Sequence, residues 1–317
     1  MHTPPNLLFW ILFVAFVLFM LVLDLGLAHR DSRPVGFREA VLWTVLWVGL
    51  AGVFAVLLYF YGQRMTGDWS ITNSRLSLEF LTAYLVEESL SVDNLFLFLL
   101  IFRYFKVPSG LQHKVLFWGI FGAIVMRAFF IAAGLAMLKH FHWVIYIFGA
   151  IILYSGFKLL FEKEDDKNLG DNFVIRFAQR HLRLIHGFSG ADFTVRRNGT
   201  LYFTTMALVL LVVEATDLVF AIDSIPAVLA VTQQPYIVFT SNIFAILGLR
   251  ALYFALANLL DLFHYLHYGL SAILVLIGVK MLGSHFFEIP TLYTLGLIVA
   301  ALGICIVLSL VKRPVHE

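Results

Sequence analysis

Between positions 214 and 226 the chain reads EATDLVFAIDSIP, and between 87 and 94 it reads EESLSVDN. Each stretch sets carboxylates beside an amide or a hydroxyl inside a run otherwise apolar enough to cross a bilayer. Glu87, Asp93, Asn94, Glu214, Asp217, Asp223 and Ser224 form the candidate set. An acid held at mid-bilayer costs ~2.5 to 3.5 kcal/mol on insertion scales, so five such acids put roughly 12 to 17 kcal/mol at risk. Hydrocarbon cannot be what they face. They must face one another, an aqueous interior or a cation.

Helical spacing narrows the chemistry. Glu87, Ser91 and Asn94 share one face at i, i+4 and i+7, and Glu214 and Asp217 share one at i, i+3. Asp93 and Asp223 each follow a partner acid by six residues, which is about 120° around and ~9 Å along a helix. One straight helix cannot bring both acids to one ion. Either there is more than one station, or the helix unwinds where Pro226 removes a donor and frees the carbonyl of Ile222. An all-oxygen set of carboxylates, amide and hydroxyl suits Mg²⁺, Ca²⁺ or Mn²⁺. His140, His142, His264 and His267 lie at span ends and loops, away from the acids, which disfavours zinc and copper.

Two other readings compete. Arg127 and Arg250, both inside apolar runs, would neutralise two acids in buried ion pairs that fix packing, leaving the others uncompensated. Protonated acids would instead relay protons. An intramembrane aspartyl protease lacks its GxGD-like stretch, and there is no thiol pair, nucleophile with a base or cofactor loop. Neither an enzyme nor a bound cofactor is expected, and a metal enters only as cargo.

The elements that must position these residues follow from composition. At 61% hydrophobic and 13% charged residues, the 317-residue chain lies outside the range of soluble domains and is expected to be an all-α polytopic membrane protein. The single cysteine, Cys305, excludes an intrachain disulfide. Nine apolar segments of spanning length fall at about 6–28, 40–61, 78–102, 114–138, 143–161, 201–231, 236–260, 268–283 and 291–311. The first lacks a basic leader and a cleavage site, and is read as a retained helix. With the N-terminus outside, 16 of the 22 basic residues lie in cytoplasmic segments, which fixes the expected orientation with the C-terminus cytoplasmic. Basic residues sorted by loop rather than gathered on one face give no nucleic-acid surface.

In the 162–199 connection, Arg176, Arg180 and Arg183 fall at i, i+4 and i+7, with Phe173, Phe177, Leu184 and Ile185 opposite. That pattern suits a helix on the anionic inner leaflet, or one packed on cytoplasmic loops with its arginines in water. Asn198-Gly199 between alternating residues predicts a hairpin.

The chain also repeats itself. Asp93-Asn94 aligns with Asp223-Ser224 and Glu87 with Asp217. IFGAIVMRA at 120–128 matches IFAILGLRA at 243–251, placing Arg127 on Arg250, and GFK at 156–158 matches GVK at 278–280. Each unit holds three spans, repeat A at 77–161 and repeat B at 200–284, so the second copy enters the membrane from the opposite side. Helices 6–28, 40–61 and 291–311 are additions to this inverted pair within one transmembrane domain.

At LVEESLSVDN (85–94), VRRNGTLYFT (195–204), VEATDLVFAIDSIPAVLAVT (213–232) and TSNIFAILGLRALYF (240–254) the sequence resembles the TerC/Alx family of bacterial integral membrane proteins, within the LysE-type transporter superfamily. The resemblance covers nearly the whole chain. It implies manganese efflux across the bacterial inner membrane, linked to tellurite resistance and to alkaline or envelope stress. The family's acids then fall at Glu87, Asp93, Glu214, Asp217 and Asp223, with Asn94, Ser224 and Asn242 in its motifs. The competing expectation is a non-transporting membrane scaffold of a stress-response complex, in which the same charges serve packing alone.

Overall fold

A computed structural model describes residues 7–28, 36–141, 143–161, 175–176, 180, 182–185, 187, 190, 192–197, 199–257, 266–283 and 289–311. The side chains of 24–28, 93, 197, 266, 267, 306, 310 and 311 lie outside that description. Nine helices are described from end to end: α1 (Leu7–Ala28), α2 (Phe37–Thr66), α3 (Asn73–Tyr104), α4 (Ser109–His140), α5 (Val144–Phe161), α6 (Thr205–Val231), α7 (Pro235–Ala257), α8 (Leu266–Leu282) and α9 (Thr291–Val311). Two strands, β1 (Thr194–Arg197) and β2 (Thr200–Phe203), precede α6.

Six of the helices are long and apolar enough to cross a membrane, namely α2, α4, α5, α6, α7 and α9. The apolar stretches Leu7–Leu23 of α1 and Tyr268–Leu282 of α8 are shorter. The 32-residue α3 is long enough, but Glu79, Glu87, Glu88 and Asp93 dilute its apolar surface. The chain is a multi-pass membrane protein.

Local chemistry sets the helix ends. Gly67 closes α2 with φ 72°, a left-handed value that a residue with a Cβ rarely adopts, and its N–H donates to the Gln63 carbonyl at 2.9 Å. Thr72 caps α3 by accepting from the Arg75 N–H, and Pro235 opens α7 at the position where a missing N–H costs nothing.

The bundle is built around α7, whose apolar window is 83% buried, against 18 to 44% for the other spanning helices. It is enclosed mainly by α2, α3 and α4, with α1 more lightly in contact. Next to it α6 packs against α4 and α3, α5 packs along α8, and α9 covers α8 and α3. Phe13 of α1, Phe54 of α2, Phe80 of α3 and Tyr236 and Phe244 of α7 stack ring against ring, which is how the first two helices are fastened to the core.

In lipid, helices associate by close packing rather than by escape from water. Glycines let α5 and α8 approach, most closely at two positions. A Cβ on Gly156 would lie 3.0 Å from the Val275 backbone nitrogen, and one on Gly278 would lie 2.9 Å from that of Leu153.

Three expectations change. Residues 201–203 belong to β2, paired antiparallel with β1, and not to a sixth span; their apolar side chains had extended that run falsely. The sixth helix does not unwind at Pro226. It stays helical from Thr205 to Val231, with Pro226 inside it. Arg183 also leaves the proposed basic stripe, because its carbonyl accepts from the Phe203 N–H at 2.9 Å in extended backbone beside the hairpin. Arg176 and Arg180 are helical and exposed, while Phe173 and Phe177 lie outside the described residues. The hairpin itself forms as predicted, with Gly199 at φ 76° and Asn198 outside the description.

Candidate functional site

On α3 the face carrying Glu87, Ser91 and Asn94 turns inward, and the three residues are 0%, 1% and 1% exposed. Across from it α6 presents Asp217 and Ser224, also buried, and half-buried Glu214 and Asp223. Glu87 and Asp217 therefore meet protein and not hydrocarbon, as the desolvation cost demands.

Between the two helices stands Arg127 of α4, fully buried. Its Nη1 pairs with Glu87 Oε1 and donates to Asn242 Oδ1 of α7 at 2.9 Å, while Nη2 lies 3.6 Å from Asp217 Oδ1. The Asn242 amide is oriented by its Nδ2 donating to the Val238 carbonyl at 3.2 Å, which leaves Oδ1 to face the guanidinium. Four helices thus contribute one residue each to the crossing. The salt-bridge expectation for Arg127 is met, but one guanidinium is shared between two carboxylates.

The third acid of this group, Glu214, lies against Gly122 on the bare backbone of α4 and interacts electrostatically with Asp217. Three carboxylates and one guanidinium give this group a formal charge of −2. Several oxygens here lack a hydrogen-bond partner among the described residues: Glu87 Oε2, Asp217 Oδ2, Ser91 Oγ, Asn94 Oδ1 and Ser224 Oγ. Buried polar atoms of native proteins seldom go unpaired, and a bound ion or water satisfies those that lack a protein partner. No three acid, imidazole or thiol groups converge at metal-ligand spacing among the described residues, and Arg127 stands between the acids.

Asp223 has partners of its own. Its Oδ1 accepts from Ser155 Oγ of α5 at 2.7 Å, and Lys158, one turn beyond that serine, adds a favourable charge. The side chain of Asp93 lies outside the described residues. Glu88 hydrogen-bonds Tyr84, and Arg250 interacts electrostatically with His113 of α4. Nothing in the residue order points to Ser155 or Gly122. Asn242 stands out as the end of the polar triplet Thr240-Ser241-Asn242 inside an apolar helix and by its place in the motif at 240–254.

Cavities open toward both ends of α3. Near its start a cavity of about 760 Å³ is lined by Asp68, Arg75, Glu79, Lys139, Thr232 and Gln234 among others. Within it Thr232 donates to Glu79 Oε2 at 2.6 Å and Gln234 to Asp68 Oδ2 at 2.6 Å, latching the α6–α7 turn to α3 and to the α2–α3 turn. Near the far end a smaller cavity of about 430 Å³ is bordered by Arg103, Lys106, Gln112 and Tyr253.

Comparison with known proteins agrees with this membrane architecture. The family model described as "Integral membrane protein TerC family" matches residues 72–317. An uncharacterised membrane protein of Myxococcus xanthus is 46% identical over 303 residues, covering 96% of this chain and 92% of that one. Proteins named as candidate membrane-bound redox modulators, Alx, from Photorhabdus laumondii and Escherichia coli K12 are 43% and 42% identical, each over 98% of this chain and 96% of their own length. No solved structure gives a significant match.

Proposed function

The chain belongs to the TerC family of integral membrane proteins, and on that premise we propose that it exports a divalent metal cation, Mn²⁺ foremost, across the bacterial inner membrane. The observation carrying the proposal is the excess of carboxylate at the crossing of α3, α4, α6 and α7, where Glu87 and Asp217 share one guanidinium and Glu214 stands beside Asp217. A hard dication is the species that oxygen ligands of net charge −2 would neutralise. Asp223 with Ser155, and the unpartnered Ser224, Ser91 and Asn94, supply further oxygens along α6 and α3 for a passage with several stations. Asp93, six residues beyond Glu87, completes the proposed ligand set from sequence alone.

Alternating access by two inverted repeats, α3–α5 and α6–α8, is part of the proposal. Two packing features support it. The contact of α3 with α7 has its counterpart in that of α6 with α4. At the α5–α8 contact, Gly156 meets Val275 while its aligned glycine, Gly278, meets Leu153, the residue aligned with Val275. A two-fold axis in the membrane plane would produce this reciprocity. The charge distribution orients the protein with the N-terminus outside and the C-terminus cytoplasmic, so the 760 Å³ cavity faces outward. The exposed Arg176 and Arg180 then face the anionic inner leaflet.

One observation favours a second reading, a non-transporting membrane scaffold of a stress-response complex: Arg127 is paired, as a packing brace would be. Intrachain disulfide exchange is closed to either reading, since Cys305 is the only cysteine. Proteoliposomes loaded with Mn²⁺ separate the two. Export by the wild type that falls at least about ten-fold in Asp217→Asn and Asp223→Asn supports the exporter. Wild-type vesicles no leakier to Mn²⁺ than protein-free ones, with no metal-dependent rise in melting temperature, would leave the scaffold.

A further inference from the structure

Arg127 is an unusual brace. A guanidinium offers five N–H donors in a rigid fork and stays charged at any physiological pH. Among the described residues only Nη1 is engaged at short range, by Glu87 and Asn242; Nε and Nη2 have no hydrogen-bond partner there, and Nη2 lies 3.6 Å from Asp217 Oδ1. The carboxylates are equally half-used, with Glu87 Oε2 and Asp217 Oδ2 buried and without a hydrogen-bond partner among the described residues. A permanent structural pair is stable only when both ions have their hydrogen bonds made. This one is made on one side and open on the other.

We infer that Arg127 is a tethered surrogate for the transported ion, occupying the gap between Glu87 and Asp217 when no metal is there and yielding it when a divalent cation arrives. The inference rests on the exporter reading and adds to it the means by which the empty carrier returns. Moving bare carboxylates through a low-dielectric bundle is prohibitive, and a guanidinium on α4 lowers that barrier without leaving the protein. Arg127 also sets the charge that is selected. With it the three acids carry −2, matched to one dication; without it they carry −3, and the empty site holds any cation too well to let it go. Asn242 is the parking contact, since its amide binds Nη1 independently of the acids.

The test compares net Mn²⁺ export with exchange of unlabelled for radioactive Mn²⁺ in proteoliposomes of the full chain. Exchange needs only the loaded carrier; net export also needs the empty one to return. Arg127→Gln is expected to bind Mn²⁺ about ten-fold more tightly by titration and to lose net export by about ten-fold while exchange stays within about two-fold of wild type. Arg127→Lys, which restores the charge, should recover net export. Should Arg127→Gln fail to fold, Asn242→Ala reads the same competition: a guanidinium without its parking contact must change Mn²⁺ affinity, and an affinity identical to wild type overturns the inference. It is also overturned if exchange and net export fall together in Arg127→Gln with affinity unchanged or weaker, which is what loss of a brace would give. Wild-type protein that neither binds nor moves Mn²⁺ would sink the exporter reading and this inference with it.

Discussion

Gly122 of α4 presents bare backbone to the carboxylate of Glu214 on α6, and a methyl group there would overlap its oxygens. The missing side chain at this position makes room for a third carboxylate beside Asp217. Gly122→Ala should leave folding within about 1 kcal/mol of wild type, because alanine favours the helix and the end of the Glu214 side chain can swing aside. Metal affinity and export should nevertheless drop to the level of Glu214→Gln. Titration of both variants with Mn²⁺ checks this; full affinity in Gly122→Ala would show that the position of Glu214 is irrelevant.

The latch near the start of α3 makes a second prediction. Glu79 is buried and receives Thr232 Oγ1 at 2.6 Å and Arg75 Nε at 2.8 Å, but Arg75 is largely exposed. Thr232→Val keeps the shape and removes the donor, leaving a buried carboxylate oxygen unpaired, and should destabilise the protein by about 1–3 kcal/mol. Arg75→Ala, which removes a solvent-screened partner, should cost less than about 1 kcal/mol. Denaturation midpoints in one detergent rank the two; the reverse order would contradict the latch.

A third prediction concerns the α5–α8 contact. Gly156→Leu or Gly278→Leu would drive side-chain atoms into the backbone nitrogen of the facing helix, which cannot step aside, and each should cost ~3 kcal/mol or more. Gly296 on α9 meets nothing within 4 Å, so Gly296→Leu should be nearly neutral. Thermal unfolding of the three variants decides it. Equal effects at 156, 278 and 296 would mean that the reciprocal glycine contact is not what joins the helices.

Much of this architecture was legible from residue order. Each apolar run became a helix because a chain in lipid has to satisfy its own backbone, and the buried acids announced themselves by their cost. What misled was local. Leu201, Tyr202 and Phe203 are as apolar as a span, yet they pair with β1, and Pro226 looks like a break in a helix that runs on through it. What was hidden was distant. Asn242 is 115 positions from Arg127, and Ser155 is 68 from Asp223; no periodicity links residues so far apart, and only the packing of α4 on α7 and of α5 on α6 brings them together. The sharing of one guanidinium by two acids follows from that packing as well.

The central claim is that these carboxylates are tolerated because a hard metal occupies the space between α3 and α6. Anomalous scattering at the manganese edge from Mn²⁺-soaked crystals of the wild-type protein addresses it directly. The expected result is a peak within ~2.5 Å of oxygens from Glu87, Asp217 or Glu214, with the Arg127 guanidinium drawn back toward Asn242. Peaks confined to the protein surface, with Arg127 still bridging Glu87 and Asp217 at saturating Mn²⁺, would contradict it.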